Sequence, residues 1–311
     1  MGVALALAER TRGMTAPNPN VGCVIVADGM VVGRGWTQPG GRPHAEAMAL
    51  EQAGARAAGA TAYVTLEPCA HVSPRGPACS DLLIAAGVAR VVIAHCDPDP
   101  RTDGQGIARL RAAGITVEVG IRETEAARVM AGFLTRRARS RPFVTLKLAL
   151  SLDGAAAMAD GRSQWITGAQ ARVHAHVERA RHEAILVGRG TWEADRPRLD
   201  VRLSGLEHRA PERVVLSSQP IPGVRTIARP AEIAGLAGDH LLVEGGARTA
   251  AAFVADDLVD RLLIYRAPII VGGGRTLPDI GLADLSDAHG RWRLHDARAL
   301  GSDRVEVYER G

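Results

Sequence analysis

The chain has 311 residues, 46% of them apolar but only 3% aromatic, and a formal net charge of +4. That length suits two domains, each with a core of Ala, Val, Leu and Ile, and the shortage of aromatics argues against a base-stacking platform for nucleic acid. The charge rests on scattered Arg, no apolar run approaches membrane-spanning length, and four Cys without a signal-like leader fit a reducing cytoplasm.

Residues 3–12 read as an amphipathic helix, which Ala16-Pro17-Asn18-Pro19-Asn20 breaks before a strand over 21–26. Asp28-Gly29 turns the chain into a second strand at Val31-Val32-Gly33. Asn18 has the hydrogen-bonding capacity to hold a ring substrate, and it also suits a plain turn between prolines. Pro43-His44-Ala45-Glu46 opens a helix over 45–55, and a strand over 62–66 runs into Glu67-Pro68-Cys69. Cys79 heads a helix over 81–86.

One imidazole, one carboxylate and two thiols thus stand in the order used by zinc-dependent nucleobase deaminases. Zinc takes imidazole nitrogen and thiolate sulfur, and a catalytic site reserves its fourth position for water, so His44, Cys69 and Cys79 suffice as ligands. Glu46, on the first turn after His44, is placed to shuttle protons without binding the metal. A closed structural zinc is the competing reading. It needs a fourth ligand, for which His71 is the near candidate, and it leaves Glu46 without a task.

A strand over 91–94, a helix over 106–113 and a strand over 116–119 complete an α/β sandwich. Cys23 and Cys96 lie in apolar, strand-like runs and read as buried free thiols. Residues 123–140 form an Arg-rich helix that Arg141-Pro142 stops, which places the domain boundary between 1–140 and 141–311.

The second half opens with a strand over 143–148 that carries Lys147, the only lysine of the chain. A compact ammonium on a half-buried strand points to a polar site. Ser151-Leu152-Asp153-Gly154 is a turn, and Thr167 is the expected N-cap of a helix over 169–181. A strand over 184–188 leads to Gly188-x-Gly190-Thr191, a tight turn whose amides can face a phosphate. Leu242-Val243-Glu244-Gly245-Gly246-Ala247-Arg248-Thr249 is the better candidate, a strand ending in two glycines that opens a helix to about 254, although a plain strand-to-helix turn uses the same residues. Strands over 214–217, 262–271 and 305–308, with a flexible link at Gly272-Gly273-Gly274, close a second α/β domain.

Over nearly its whole length the sequence resembles the RibD family of riboflavin-biosynthesis proteins, pyrimidine deaminases fused to reductases. The matching words are Pro17-Asn18-Pro19-Asn20-Val21-Gly22, Pro43-His44-Ala45-Glu46, the run Val64-Thr65-Leu66-Glu67-Pro68-Cys69-Ala70-His71, Ser151-Leu152-Asp153-Gly154, Ser163-Gln164-Trp165-Ile166-Thr167 and Gly190-Thr191. The resemblance implies a cytidine-deaminase-like α/β/α sandwich followed by a dihydrofolate-reductase-like α/β domain. It implies zinc-dependent hydrolysis of the 2-amino group of a diaminopyrimidinone ribosylamine 5′-phosphate, then NADPH-dependent reduction of the ribosyl group to ribityl. It places Asn18 and His71 near the first substrate. Ala149, Trp165, Thr191, Asp195, Ser218 and the turn Gly246, Ala247, Arg248, Thr249, on to Ala252, are expected at NADPH. Ser163, Arg179, Leu199, Arg202 and Glu244 are expected at the phosphorylated substrate, with Lys147 on the floor of the site in a role in hydride transfer.

Further expectations are a small phosphorylated pyrimidine as partner, no nucleic acid and no membrane, a cytoplasmic location, and a homodimer or higher homo-oligomer through the second domain. Two departures from the family stand out. The Cys69 to Cys79 interval is one residue longer and contains Pro74-Arg75-Gly76-Pro77, and the family's Asp-Asp-Pro is here Asp195-Arg196-Pro197. A nucleoside or tRNA deaminase with an accessory domain is the alternative, and the long interval in place of Pro-Cys-x-x-Cys argues against it. A noncatalytic zinc scaffold is disfavoured by Glu46.

Overall fold

The structure, a computed structural model, describes residues 1–71 and 75–311. Pro74, in the long interval between the two cysteines, lies outside the described residues. The chain forms two compact units, Met1–Ser140 and Arg141–Gly311.

In the first unit, α1 (Gly2–Ala8) precedes a hairpin of β1 (Gly22–Ala27) and β2 (Met30–Trp36). Then come α2 (Ala45–Ala53), β3 (Thr61–Leu66), α3 (Cys79–Ala85), β4 (Arg90–His95), α4 (Gln105–Ala112) and β5 (Thr116–Val119). Two helices, α5 (Glu123–Val129) and α6 (Ala131–Arg139), close the unit. The sheet runs β2-β1-β3-β4-β5, antiparallel around β1 and parallel from β3 to β5. Parallel neighbours require crossover connections, which α3 and α4 supply. Alternate residues of β1 serve different cores: Cys23 and Ile25 pack with Ala45 and Ala49 of α2, whereas Val24 packs with Ala4 and Leu7 of α1.

Helix α2 sits unusually close to β2. A Cβ on Gly33 would lie 2.1 Å from the Ala49 carbonyl oxygen, and one on Gly35 would lie 2.0 Å from that of Ala45. Glycine is therefore required at both positions, and the helix that begins just after His44 and carries Glu46 is seated by backbone contact.

In the second unit the elements are β6 (Phe143–Leu150), α7 (Ala169–Arg179), β7 (Ala184–Gly188), α8 (Arg189–Asp195), β8 (Glu212–Leu216) and β9 (Arg225–Ile227). They continue with β10 (His240–Val243), α9 (Ala247–Ala255), β11 (Arg261–Arg266), β12 (Trp292–Leu300) and β13 (Asp303–Arg310). The eight strands are ordered β12-β13-β11-β6-β10-β7-β8-β9, parallel from β11 to β9 and antiparallel at β13 and β12. Leu146, Leu186, Leu241, Val243 and Phe253 make its main core. A buried ion pair ties the entry of β6 to the start of β11: Arg141 donates to both Asp260 oxygens, at 2.6 and 2.8 Å, and Asp260 also accepts from the Val144 amide at 2.8 Å.

Several expectations are corrected. The helix over 123–140 is two helices broken at Met130, whose backbone leaves the helical region (φ −100°, ψ 17°) while its side chain is fully buried. Residues 262–271 are not one strand: β11 ends at Arg266, Pro268 has no N–H to continue the ladder, and beyond it the Leu152 amide donates to the Ile269 carbonyl. Gly168, not Thr167, occupies the N-cap of α7, and its amide donates to Asp303 at 2.6 Å. Gly188 passes directly into α8 without a separate tight turn. The link at Gly272 is held, since Asp153 accepts from the amides of Val271 and Gly272. Cys96 is exposed, one residue beyond β4. Strands β9 and β12 escaped the sequence reading. β9 is only three residues long, and an irregularity between Leu294 and Asp296 interrupts the alternation of β12.

Gly35→Ala is expected to cost the first unit about 1–3 kcal/mol, the usual range for overpacking. Urea denaturation should show a lowered midpoint for that unit with the second unit's transition unmoved.

Candidate active sites

His44 stands at the N-cap of α2 in extended conformation, Cys69 follows β3, and Cys79 is the first residue of α3. Three separate segments thus converge. His44 Nδ1 lies 3.3 Å from Cys79 Sγ and 3.7 Å from Cys69 Sγ, and the three donor atoms fall within 4.8 Å of one another. Donors bonded to one tetrahedral zinc at about 2.0–2.3 Å stand roughly 3.5–3.8 Å apart, so this set fits the metal in both chemistry and spacing. His71 is outside the group, with its Nδ1 3.5 Å from Thr102 Oγ1. The cluster therefore has three protein donors among the described residues and lacks the fourth that a closed site needs.

The sulfurs differ in acidity. The Cys79 thiol bonds to Cys69, and with His44 and the Cys79 amide it holds Cys69 well below the usual thiol range despite burial. The same neighbour and burial push Cys79 up. Glu46 is 3% exposed, and burial raises its carboxyl to about 7 against the opposing pull of His44. A carboxyl poised there both accepts and returns a proton near neutrality. On the other side of the imidazole, the Asn18 amide nitrogen lies 3.0 Å from His44 Nε2 and donates to the Gly41 carbonyl at 3.1 Å.

Glu67 enters the sequence reading only as part of a longer matching run. Its buried carboxylate accepts from the amides of Asp97, Gly104 and Ile107, at 3.3, 3.1 and 3.1 Å, which fastens the segment carrying Thr102 to the end of β3 beside Cys69. Nothing local in the sequence signals that pairing.

In the second unit the carboxyl ends of β6, β7 and β10 open on a cavity of about 1360 Å³. Ligands of open parallel sheets bind at this edge. Lys147, Ala149, Ser163, Trp165, Arg179, Thr191, Asp195, Leu199, Arg202, Glu244, Gly246, Ala247, Arg248 and Thr249 all line it. Ser218 is not among the lining residues; it lies two residues beyond β8. The head of α9 lies close against the end of β7: a Cβ on Gly188 would lie 2.2 Å from Thr249 Oγ1, so a larger residue there would force the Thr249 side chain to move.

Glu244 is the electrostatic centre of this cavity. Arg179 donates to both its oxygens, at 2.7 and 2.9 Å, and Lys147 Nζ stands 3.8 Å away. Burial alone would raise the Glu244 carboxyl, but Lys147 and Arg179 outweigh it and hold the group below its usual 4.5. Arg198 and Arg202 share Asp200 at 3.0 and 3.5 Å, and Arg189 pairs with Glu193 at 2.7 Å. Arg172 donates to the Thr167 carbonyl and stands over the Trp165 ring, 5.0 Å from its centroid. The sequence reading missed Arg172, Arg189, Arg198 and Arg275 as lining residues, because scattered arginines carry no spacing signal.

Comparison with known proteins separates the two units in the same way. Residues 1–95 match the cytidine and deoxycytidylate deaminase zinc-binding region, and residues 142–228 and 231–305 match the RibD C-terminal domain. The riboflavin biosynthesis protein RibD of Escherichia coli is 42% identical over 97% of this chain and 96% of its own length. The chain belongs to the RibD family. Its fold agrees with that of RibD from Acinetobacter baumannii, with a TM-score of 0.89 at 36% identity over 100% of this chain and 97% of that one. A diaminohydroxyphosphoribosylaminopyrimidine deaminase/5-amino-6-(5-phosphoribosylamino)uracil reductase from Thermotoga maritima gives 0.88 at 31% identity over the same shares. As a RibD-family member the chain is a bifunctional riboflavin-biosynthesis enzyme, a zinc-dependent deaminase and an NADPH-dependent reductase. The first unit is cytidine-deaminase-like and the second is of the dihydrofolate-reductase-like RibD type. No described helix is long and apolar enough to cross a membrane.

Because the Glu244 carboxyl is depressed in the folded state, its stabilisation is complete above 4.5 and is lost as pH falls through the lower folded-state value. Glu244→Gln should cost the second unit about 3–5 kcal/mol near neutrality, since two cations lose their counter-charge. The cost should shrink on acidification, as read from urea midpoints across the acid range.

Proposed function

We propose that the first unit hydrolyses the 2-amino group of 2,5-diamino-6-ribosylamino-4(3H)-pyrimidinone 5′-phosphate. The second unit then reduces 5-amino-6-(5-phosphoribosylamino)uracil to its ribityl form. The observation that carries this reading is the pairing, in one chain, of a three-donor His/Cys/Cys cluster beside a buried glutamate with a separate cation-rich cavity. The Thermotoga maritima relative is named for a deaminase and a reductase of this kind.

His44, Cys69 and Cys79 hold zinc, which when bound lowers the pKa of water at its open position. Glu46 takes a proton from the attacking water and delivers it to the departing amine, so that water is consumed and ammonia leaves. Its burial, which outweighs the opposing pull of His44, keeps it protonatable in the working range. Asn18 and His71 orient the pyrimidine ring. Asn18 reaches the face of His44 opposite the sulfurs, and His71 stands apart from the donor cluster.

In the second unit Ala149, Trp165, Thr191, Asp195, Ser218 and the turn from Gly246 to Thr249 hold the cofactor, which supplies a hydride. Ser163, Arg179, Leu199, Arg202 and Glu244 hold the phosphorylated substrate. Reduction adds that hydride to C1′ of the open sugar and a proton to the attached nitrogen. Lys147, whose Nζ stands 3.8 Å from Glu244, is the donor we assign to the proton. The protein works in the cytoplasm as a homodimer or higher homo-oligomer through the second unit, in keeping with buried free thiols at Cys23, Cys69 and Cys79 and with apolar Leu294 exposed on the edge strand β12.

The test is a coupled assay on zinc-loaded protein supplied with the diaminopyrimidinone substrate, following ammonia and NADPH together. Both signals are expected. Ammonia without NADPH oxidation would remove the second activity, and neither signal would remove both. Glu46→Ala should lower ammonia release by roughly 10²–10⁴-fold with zinc content unchanged. Lys147→Ala should lower NADPH oxidation by roughly 10²-fold while ammonia release persists. Light scattering on the eluted protein checks the oligomer.

A further inference from the structure

We propose that Arg196 is a specificity-determining residue of the second unit that binds a phosphate monoester carried by one of the cavity's two ligands. The proposal rests on the reading of this unit as a reductase of a phosphorylated substrate. Among the cavity's lining residues nine are Lys or Arg and only Asp195 and Glu244 are acidic, so the site favours ligands with several negative charges. Most of those cations are already engaged in the ion pairs and carbonyl contacts given above, and Arg275 donates to the Ala159 carbonyl. Arg248 sits in the turn already assigned to the cofactor. Arg196 lines the cavity, is exposed, and among the described residues its guanidinium has neither a carboxylate nor a carbonyl partner.

The backbone holds that side chain in place at a cost. Arg196 ends α8 in the left-handed region (φ 42°, ψ 53°), although it is not glycine and precedes Pro197. Leu199 is left-handed as well, at φ 53°, so two non-glycine residues within four are strained in a segment that faces the cavity. Such strain persists where the surroundings dictate it, and it gathers at ligand clamps. A cation at a helix C-terminus also complements the helix dipole, but that effect needs no cavity. A guanidinium with open donors offers the forked geometry that suits phosphate. The two candidate sources are the 2′-phosphate of NADPH and the 5′-phosphate of the substrate. Arg196 is also the position where the chain replaces the family's second aspartate with the opposite charge.

The experiment compares zinc-loaded full-length wild type with Arg196→Ala and Arg196→Lys in steady-state reduction of 5-amino-6-(5-phosphoribosylamino)uracil, with NADPH and NADH as alternative cofactors. Arg196→Ala should raise one KM by roughly tenfold, the scale of a lost charge-assisted hydrogen bond, with kcat little changed. A higher KM for NADPH but not for NADH identifies the 2′-phosphate, whereas a higher KM for the substrate identifies its 5′-phosphate. Lysine should restore part of the loss, since it supplies the charge without the fork. Unchanged KM values for both ligands, or a lowered melting temperature as the only effect, would overturn the proposal. Wild type that does not oxidise NADPH would instead overturn the reductase reading, before any variant is compared.

Discussion

Both sites depend on backbone approaching closer than any side chain permits. In the first unit the carbonyls of Ala45 and Ala49 occupy the space where side chains of Gly35 and Gly33 would be, which seats α2 and so aims His44 and Glu46. In the second, Thr249 occupies the space beside Gly188, which draws the head of α9 to the end of β7 and gathers the strand ends around one cavity. In the first unit the contacts are made by main chain rather than by flexible side chains, which fixes position at low entropic cost, whereas in the second the Gly188 backbone meets the Thr249 side chain.

Within those frames, three buried glutamates differ in their partners. Glu46 is buried, and burial outweighs the opposing pull of His44, so its carboxyl rises to about 7. Glu244 is buried between Arg179 and Lys147 and stays ionised. Glu67 is equally buried and accepts from three backbone amides, which makes it a clasp. The proposed tasks follow from the partners: proton transfer for the first, cation placement for the second, and support of the Cys69 segment for the third.

Much of the first site was legible in the sequence. His44, Glu46, Cys69 and Cys79 are chemically unusual residues in a restrictive order, and each stands at the edge of a recognisable helix or strand. The second site was legible mainly through resemblance. Arginine, serine and glycine are common, and their convergence on one cavity follows from strand order, with β10 inserted between β6 and β7 although it comes later in the chain. The misread elements fail for local reasons: Met130 interrupts a continuous helical pattern, Pro268 ends a strand early, and an irregularity hides the alternation of β12.

The sequence by itself determined the chemistry available to this protein: which donors exist for zinc, which carboxylate follows the histidine, and that one lysine stands among arginines. Tertiary structure alone decided that His71 turns to Thr102 instead of joining the metal donors, that Glu67 clasps the 97–107 segment, and that Arg196 faces a cavity without a partner among the described residues. The reason is physical. Residue type and short spacing set reactivity and local conformation, whereas burial, counter-charge and unmet hydrogen-bonding capacity depend on segments brought together from distant parts of the chain.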